Sequence, residues 1–184
     1  DQTAAGGIGP MGIDQNIIID GESRDGWVLL LAHGAGQGMD SPFMAGIAEA
    51  IAGVGIAVVR FNFPYMVKAM ASGRKRPPDR EQLLRDSFQQ AIAEQVAAGI
   101  ERRRLVIGGK SMGGRIASLI ADGQQIAGLV CLGYPFHPPG RPERLRTAQP
   151  ERWIVHGVGV RGIGHGREIR LAIRDWGARK PEKP

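Results

Sequence analysis

Short, continuous apolar runs alternate along the chain with longer segments whose apolar residues recur at helical spacing. Val28-Leu-Leu-Leu-Ala32 is the first such run and ends in His33-Gly-Ala-Gly36. An apolar run without polar alternation reads as a strand covered on both faces, and the glycines as the turn after it. Ser41-Pro42 supplies an N-cap and a first-turn proline, after which Phe43, Ile47, Ile51 and Val54 repeat with the period of a helix. Gly55-Ile-Ala-Val-Val-Arg-Phe61 is a second β-rich run that Pro64 breaks, and the basic stretch from Lys68 to Pro78 reads as a loop by composition. Asp79 with Gln82 resembles a capping box ahead of a helix bearing Leu84, Phe88, Ile92 and Val96 on one face. Leu105-Val-Ile107 predicts a third strand, and Ile116, Leu119 and Ile120 another helix. Ile126 to Leu132 predicts a fourth strand and Trp153-Ile-Val155 a fifth.

Alternating strands and amphipathic helices predict an α/β fold, a mostly parallel sheet with helices on both faces. Ligands in such folds bind beyond the carboxyl ends of the strands, so His33, Phe61-Asn62, Gly108 to Ser111 and Gly133-Tyr134 are expected on one rim. The domain reading is an N-terminal segment over 1–27, partly disordered, a core over 28–149 and a divergent basic C-terminal segment over 150–184. A chain of 184 residues is about one domain and buries roughly 70% of its unfolded surface. It opens on Asp1, so either the start is missing or Met11 is the true beginning.

Composition changes this picture in three places. Glycine occurs 28 times, about twice the usual share of ~7%, which predicts many tight turns and close backbone approaches. The formal net charge is +6, of which +4 falls in residues 150–184 and only +2 in the rest; the body of the chain is nearly neutral, and no helix-turn-helix, RNA-recognition or zinc signature accompanies the basic runs. Nucleic acid is therefore not the expected partner. The single cysteine, Cys131, excludes an internal disulfide, lies in the apolar run of the fourth strand as an inert buried thiol, and fits a cytoplasmic protein. No apolar run reaches membrane-spanning length, no metal-ligand spacing occurs, and no cofactor is implied.

The chemistry concentrates in Leu105-Val-Ile-Gly-Gly-Lys-Ser111-Met-Gly-Gly114. Gly109-Lys-Ser-Met-Gly113 matches G-x-S-x-G between a predicted strand and a predicted helix, which is the context a nucleophile elbow requires. The small flanking residues let the chain turn sharply, Ser111 is presented to the crevice, and the Met112 amide at the helix start faces a developing oxyanion. A phosphate-binding reading of Gly-Lys-Ser needs glycine where Arg104 stands, and it fails. Gly157-Val-Gly-Val-Arg-Gly162 and Gly7-Ile-Gly-Pro-Met-Gly12 match a dinucleotide fingerprint by chance, since neither has the surrounding βαβ unit. His33-Gly-Ala-Gly36 fits the second half of an oxyanion hole, with Ala35 donating and His33 orienting the loop. His33, Gly34, Gly36, Tyr65 and Tyr134 are expected around the pocket, with His137 after the fourth strand.

Four blocks in order, Leu31 to Asp40, Arg60-Phe-Asn-Phe-Pro-Tyr65, Gly108 to Arg115 and Gly133-Tyr-Pro-Phe-His-Pro-Pro-Gly140, resemble the small α/β-hydrolases of the KANL/Tex group, which are dienelactone-hydrolase-like. The resemblance runs from about Val28 to Arg146 and implies an α/β-hydrolase fold without a large lid, Ser111 as nucleophile, and oxyanion amides at Met112 and Ala35. It breaks near Ala148. The group places its acid just after the strand corresponding to Trp153-Ile-Val-His-Gly157 and its base further on, whereas this chain reads Val158-Gly-Val-Arg-Gly-Ile-Gly-His-Gly-Arg-Glu168. Glu151 and His156 precede the acid position, and His165 is the one histidine after that strand. The tail is a diverged end in which His165 reaches Ser111, a non-catalytic end, or a frame-shifted product, and its Arg- and Gly-rich composition without amphipathic pattern favours the last.

The expected function is a serine hydrolase acting on a carboxylic ester or thioester by acyl transfer through Ser111, with a small-molecule substrate. The alternative is a catalytically impaired hydrolase fold acting as a protein-interaction module.

Overall fold

The computed structural model describes residues 16–135 and residues 140, 141, 143 and 144. Five strands form one sheet in the order β1-β3-β2-β4-β5: β1 (Ile17–Asp20), β2 (Val28–Ala32), β3 (Ala57–Phe61), β4 (Leu105–Lys110) and β5 (Gly128–Leu132). β2 through β5 run parallel to their neighbours, and β1 closes the edge antiparallel to β3. The connections are helical: α1 (Pro42–Ala52) joins β2 to β3, α2 (Pro64–Ser72) and α3 (Glu81–Ala97) join β3 to β4, and α4 (Met112–Ile120) joins β4 to β5.

The unalternating strands are explained by two cores. Leu29 and Leu31 of β2, Val58 of β3 and Val106 of β4 pack on Met44, Ile47, Ala48 and Ile51 of α1. Their neighbours Leu30, Val59 and Ile107 point the other way, onto Phe88 and Ile92 of α3 and Ile116 and Ile120 of α4. Each such side chain contributes about 1.5–3 kcal/mol by leaving water, so a strand buried on both faces needs apolar residues at consecutive positions.

β3 lies on one side of β2 and β4 on the other. The chain therefore reverses its direction of growth across the sheet at β2, and the gap this leaves beyond the carboxyl ends of β2 and β4 is where such folds hold ligands. In the register Ala32 is opposite Gly109, so the turns after both strands meet at that gap.

The fold departs from the pattern in four places. The sheet begins earlier than the hydrophobic runs suggest, because β1 lies within the first 27 residues. It is held by Asp20, whose two carboxylate oxygens accept from Arg60 Nε and Nη2 at 2.7 and 2.8 Å. The stretch read as a loop from Lys68 is helical as far as Ser72. Pro64 starts that helix rather than ending a strand, since its fixed φ suits the first helical position, and Gly73 stops it with φ +63°. Asp79 does not cap α3: Arg80 holds the N-cap position there, and Asp79 Oδ2 accepts the Tyr65 N–H of α2 at 2.9 Å. Helix α1 ends at Ala52, leaving Val54 65% exposed. The strand expected at Trp153-Ile-Val155 lies outside the described residues.

Candidate active site

Ser111 sits between β4 and α4 with φ +49° and ψ −107°. A side chain there is strained, at a cost of about 1–3 kcal/mol, and persists only where its surroundings enforce it. They do so through backbone contact. A Cβ on Gly113 would lie 2.6 Å from the carbonyl oxygens of both Ala32 and His33, and one on Gly109 would lie 2.6 Å from Ala32 O. Gly114 is closed off in the same way by Gly109 O, at 2.7 Å. On the other flank the Ser111 N–H donates to Leu132 O at 2.9 Å, tying the turn to the end of β5. The serine is half-buried.

Across the gap, the loop after β2 is held by buried polar side chains. The Phe63 N–H donates to His33 Nε2 at 3.0 Å. A backbone N–H can only donate, so the ring proton sits on Nδ1, which donates to Gly34 O at 2.6 Å. His33 is fully buried, and burial lowers its pKa from the ordinary value, against smaller opposing effects of the Gly34 hydrogen bond and the Asp40 charge. It is a neutral ring with both nitrogens occupied, which suits an orienting role and leaves no nitrogen for a proton from Ser111.

Tyr65 differs from its expected place around the pocket. It is buried, and its hydroxyl donates to Ala35 O at 3.0 Å and Gly34 O at 3.2 Å; it braces the loop from beneath. Desolvation, with the nearby Asp79 charge second, pushes its pKa up to about 12, so it remains a donor at neutral pH. Further along, the Met39 N–H donates to Asn62 Oδ1 at 2.9 Å while Arg60 Nη1 donates to Met39 O at 2.6 Å. Asn62, Arg60 and Asp79 are the supporting residues that pattern reading misses. The one available signal is Arg60 itself, a charge inside an otherwise apolar strand, which must find a partner when buried.

The two halves touch. Gly34 lies against Lys110, with its Cβ direction 3.5 Å from Lys110 O. Among the described residues neither the Ala35 N–H nor the Met112 N–H has a hydrogen-bond acceptor, and Met112 is the first residue of α4, where amides lack intrahelical partners. Gly34 is buried and Gly36 exposed on this loop, and Tyr134 is buried just past β5. Cys131 is buried beneath the turn, its Sγ 3.5 Å from Gly114 O, and burial alone pushes its pKa up to about 12, so it stays a thiol. His137, Glu151, His156 and His165 lie outside the described residues. A cavity of about 420 Å³ opens elsewhere, between Asn16, Phe61 and Asn62 and the α3 residues Asp86, Gln90 and Glu94; it lies at β1 and β3, and β2 stands between β3 and β4.

A mostly parallel sheet with a reversal point and a strained serine between strand and helix are features of the α/β-hydrolase class. Comparison agrees: the alpha/beta hydrolase domain family matches residues 25–162, and the chain belongs to it. Among solved structures, the α/β hydrolase GrgF from Penicillium sp. sh18 superposes with a TM-score of 0.53 at 14% identity, over 68% of this chain and 43% of that one. A lidless α/β serine hydrolase from Xanthomonas campestris matches at 22% identity and a TM-score of 0.48, over 65% and 56% of the two chains. A Paleococcus ferrophilus monoacylglycerol lipase matches at 23% identity and 0.44, over 67% and 46%. The match thus spans about half the length of these relatives. Among the described residues no helix is long and apolar enough to cross a membrane.

Proposed function

We propose that the protein is a serine hydrolase that cleaves a carboxylic ester or thioester by acyl transfer, in the manner of the small KANL/Tex-type, dienelactone-hydrolase-like enzymes. The observation that carries this reading is the Ser111 turn, with φ +49° enforced by backbone contacts and beside it the Met112 amide, which has no acceptor among the described residues. Strain of this kind in a half-buried polar residue at a ligand crevice is maintained where the side chain has chemistry to do.

In the proposed reaction Ser111 Oγ attacks the substrate carbonyl carbon while its proton passes to a histidine base. The carbonyl oxygen becomes an oxyanion held by the Met112 and Ala35 amides, a contribution of about 3–4 kcal/mol per donor where such donors have been removed. Collapse expels the alkoxide or thiolate, which takes the proton back, and water then releases the acid from the acyl-serine. His33 is committed to the loop, so the base is proposed to be His165. Support for Ala35 comes from Tyr65 and His33, which hold Gly34 O and with it the plane of the peptide that carries the Ala35 N–H.

Ser111→Ala is expected to abolish both p-nitrophenyl ester turnover and labelling by a fluorophosphonate, with the folded state retained. Unchanged turnover would refute the assignment. Absence of labelling in the folded wild-type protein, together with stable capture of a protein partner, would replace it by the binding-module reading.

A further inference from the structure

The segment between α2 and α3 reads Gly73-Arg-Lys-Arg-Pro-Pro-Asp-Arg80 and follows Lys68 on the exposed side of α2. Its charge is unlike that of the next helix, where Glu81, Arg85, Asp86 and Glu94 mix both signs as a solvated face does. From Lys68 to Arg76 there are four cations and no acid. The two acids that follow are engaged elsewhere: Asp79 accepts the Tyr65 N–H, and Glu81 pairs with Arg115 at 2.7 Å. Lys68, Arg74, Lys75 and Arg76 are exposed and make no ion pair among the described residues.

These same contacts place the segment. Asp79 is bound at the start of α2 to the N–H of Tyr65, the residue whose hydroxyl holds Gly34 and Ala35. Arg115, which Glu81 grips, is one helical turn from Ser111, and its N–H donates to Ser111 O at 3.0 Å. The downstream end of the basic segment is thus pinned between the two halves of the oxyanion site, and Pro77-Pro78 limits how far it swings. On the opposite flank Lys110 adds a half-buried cation directly before the serine; its ammonium lies 4.5 Å from the Phe43 ring centre and has no carboxylate partner among the described residues. Asp40, exposed beyond the loop, is the acid that faces this rim.

We propose that the substrate carries an anionic group, a carboxylate or a phosphate, away from its scissile bond, and that Arg74, Lys75 and Arg76 read it. The proposal rests on the Ser111 reading and names its substrate class. Cations left unpaired beside a cleft raise the local concentration of an anionic substrate and orient its charged end, and arginine forks match either oxyanion geometry.

The test compares wild type with a variant carrying Arg74→Gln, Lys75→Gln and Arg76→Gln, all on an exposed loop. Two matched substrate pairs are used: p-nitrophenyl hemiglutarate against p-nitrophenyl acetate, and acetyl-coenzyme A against S-acetyl-N-acetylcysteamine. The variant is expected to lower kcat/KM for the anionic member of at least one pair by about five- to tenfold, as three weak exposed pairs would, with the neutral member within twofold. Half-molar salt should reproduce that loss in the wild type. An effect in the first pair assigns a carboxylate on the acyl side, and an effect in the second a phosphate on the leaving group. Equal behaviour of charged and neutral members in both proteins overturns the proposal. If no substrate is turned over, the Ser111 reading fails separately, and calorimetric binding of glutarate and coenzyme A to the two proteins decides the anion site: binding weakened in the variant supports it, and no binding or unchanged binding overturns it.

Discussion

The two sides of the proposed oxyanion site are built by opposite means. Around Ser111 the turn is shaped by what is missing: Gly109, Gly113 and Gly114 leave room for backbone to meet backbone, and the constraint is steric. The loop after β2 is shaped by what has been added, with His33 and Tyr65 bonded to Gly34 O, Asn62 to the Met39 N–H and Arg60 to Met39 O, all buried. A steric turn resists deformation but tolerates no new atoms. A hydrogen-bonded loop tolerates changes of shape but leaves unsatisfied groups when a partner is lost. The two sides should therefore fail differently.

The largest failure is expected at Gly113→Ala. The added carbon would meet two carbonyl oxygens at 2.6 Å, both belonging to backbone that cannot rotate away. A loss of about 3 kcal/mol is expected, the upper end of overpacking penalties. Urea denaturation reads it, and a midpoint equal to wild type would show that the turn is looser than its contacts imply.

His33→Phe comes next, at about 2–3 kcal/mol, because the Phe63 N–H loses its acceptor and Gly34 O one of its donors. This change also removes a pH dependence. Burial depresses the folded pKa of His33, so between that value and the unfolded value of about 6.5 the unfolded chain binds a proton that the folded chain does not. Stability is then full above about pH 6.5 and falls by as much as ~1.4 kcal/mol per pH unit below it. The difference between denaturation curves at pH 7.5 and 5.5 should shrink in His33→Phe; an unchanged difference would remove His33 from the account.

Tyr65→Phe is the mildest, at about 1 kcal/mol, since Gly34 O keeps His33 as donor and only Ala35 O is left without its partner. Its sharper readout is the rate of fluorophosphonate labelling at Ser111, expected to fall several-fold because Gly34 O, in the peptide that carries the Ala35 N–H, loses one of its two donors. Full labelling speed would mean that the loop holds its shape without the hydroxyl.

The steric side was legible from the residues. Glycines at fixed offsets from a serine, between an apolar run and a helical pattern, admit few other structures, and the strand and helix fell where the pattern put them. The polar side was legible only as a turn. Asn62 is 23 residues from the Met39 amide it holds and Tyr65 is 31 and 30 from the carbonyls of Gly34 and Ala35, and local propensity carries no information about which distant group a side chain will reach. The same holds for Asp79, whose capping-box spacing was genuine but whose carboxylate serves another helix, and for α2, whose polar composition hid a helix anchored by the buried Tyr65 at one end and stopped by Gly73 at the other. β1 escaped notice because a four-residue segment is too short to read alone, and its place is decided by antiparallel pairing with β3 and by the ion pair of Asp20 with Arg60.

By itself the amino-acid sequence determined the parallel α/β architecture, because burial on both faces requires consecutive apolar residues, and the turn at Ser111, because only glycines admit that backbone approach. Tertiary structure alone decided how the opposite loop is held, that His33 is a neutral ring with both nitrogens committed, and that the end of the basic segment is tied to Tyr65 and Arg115. Each of those depends on contacts between residues far apart in the chain, which exist only once the strands have been brought side by side.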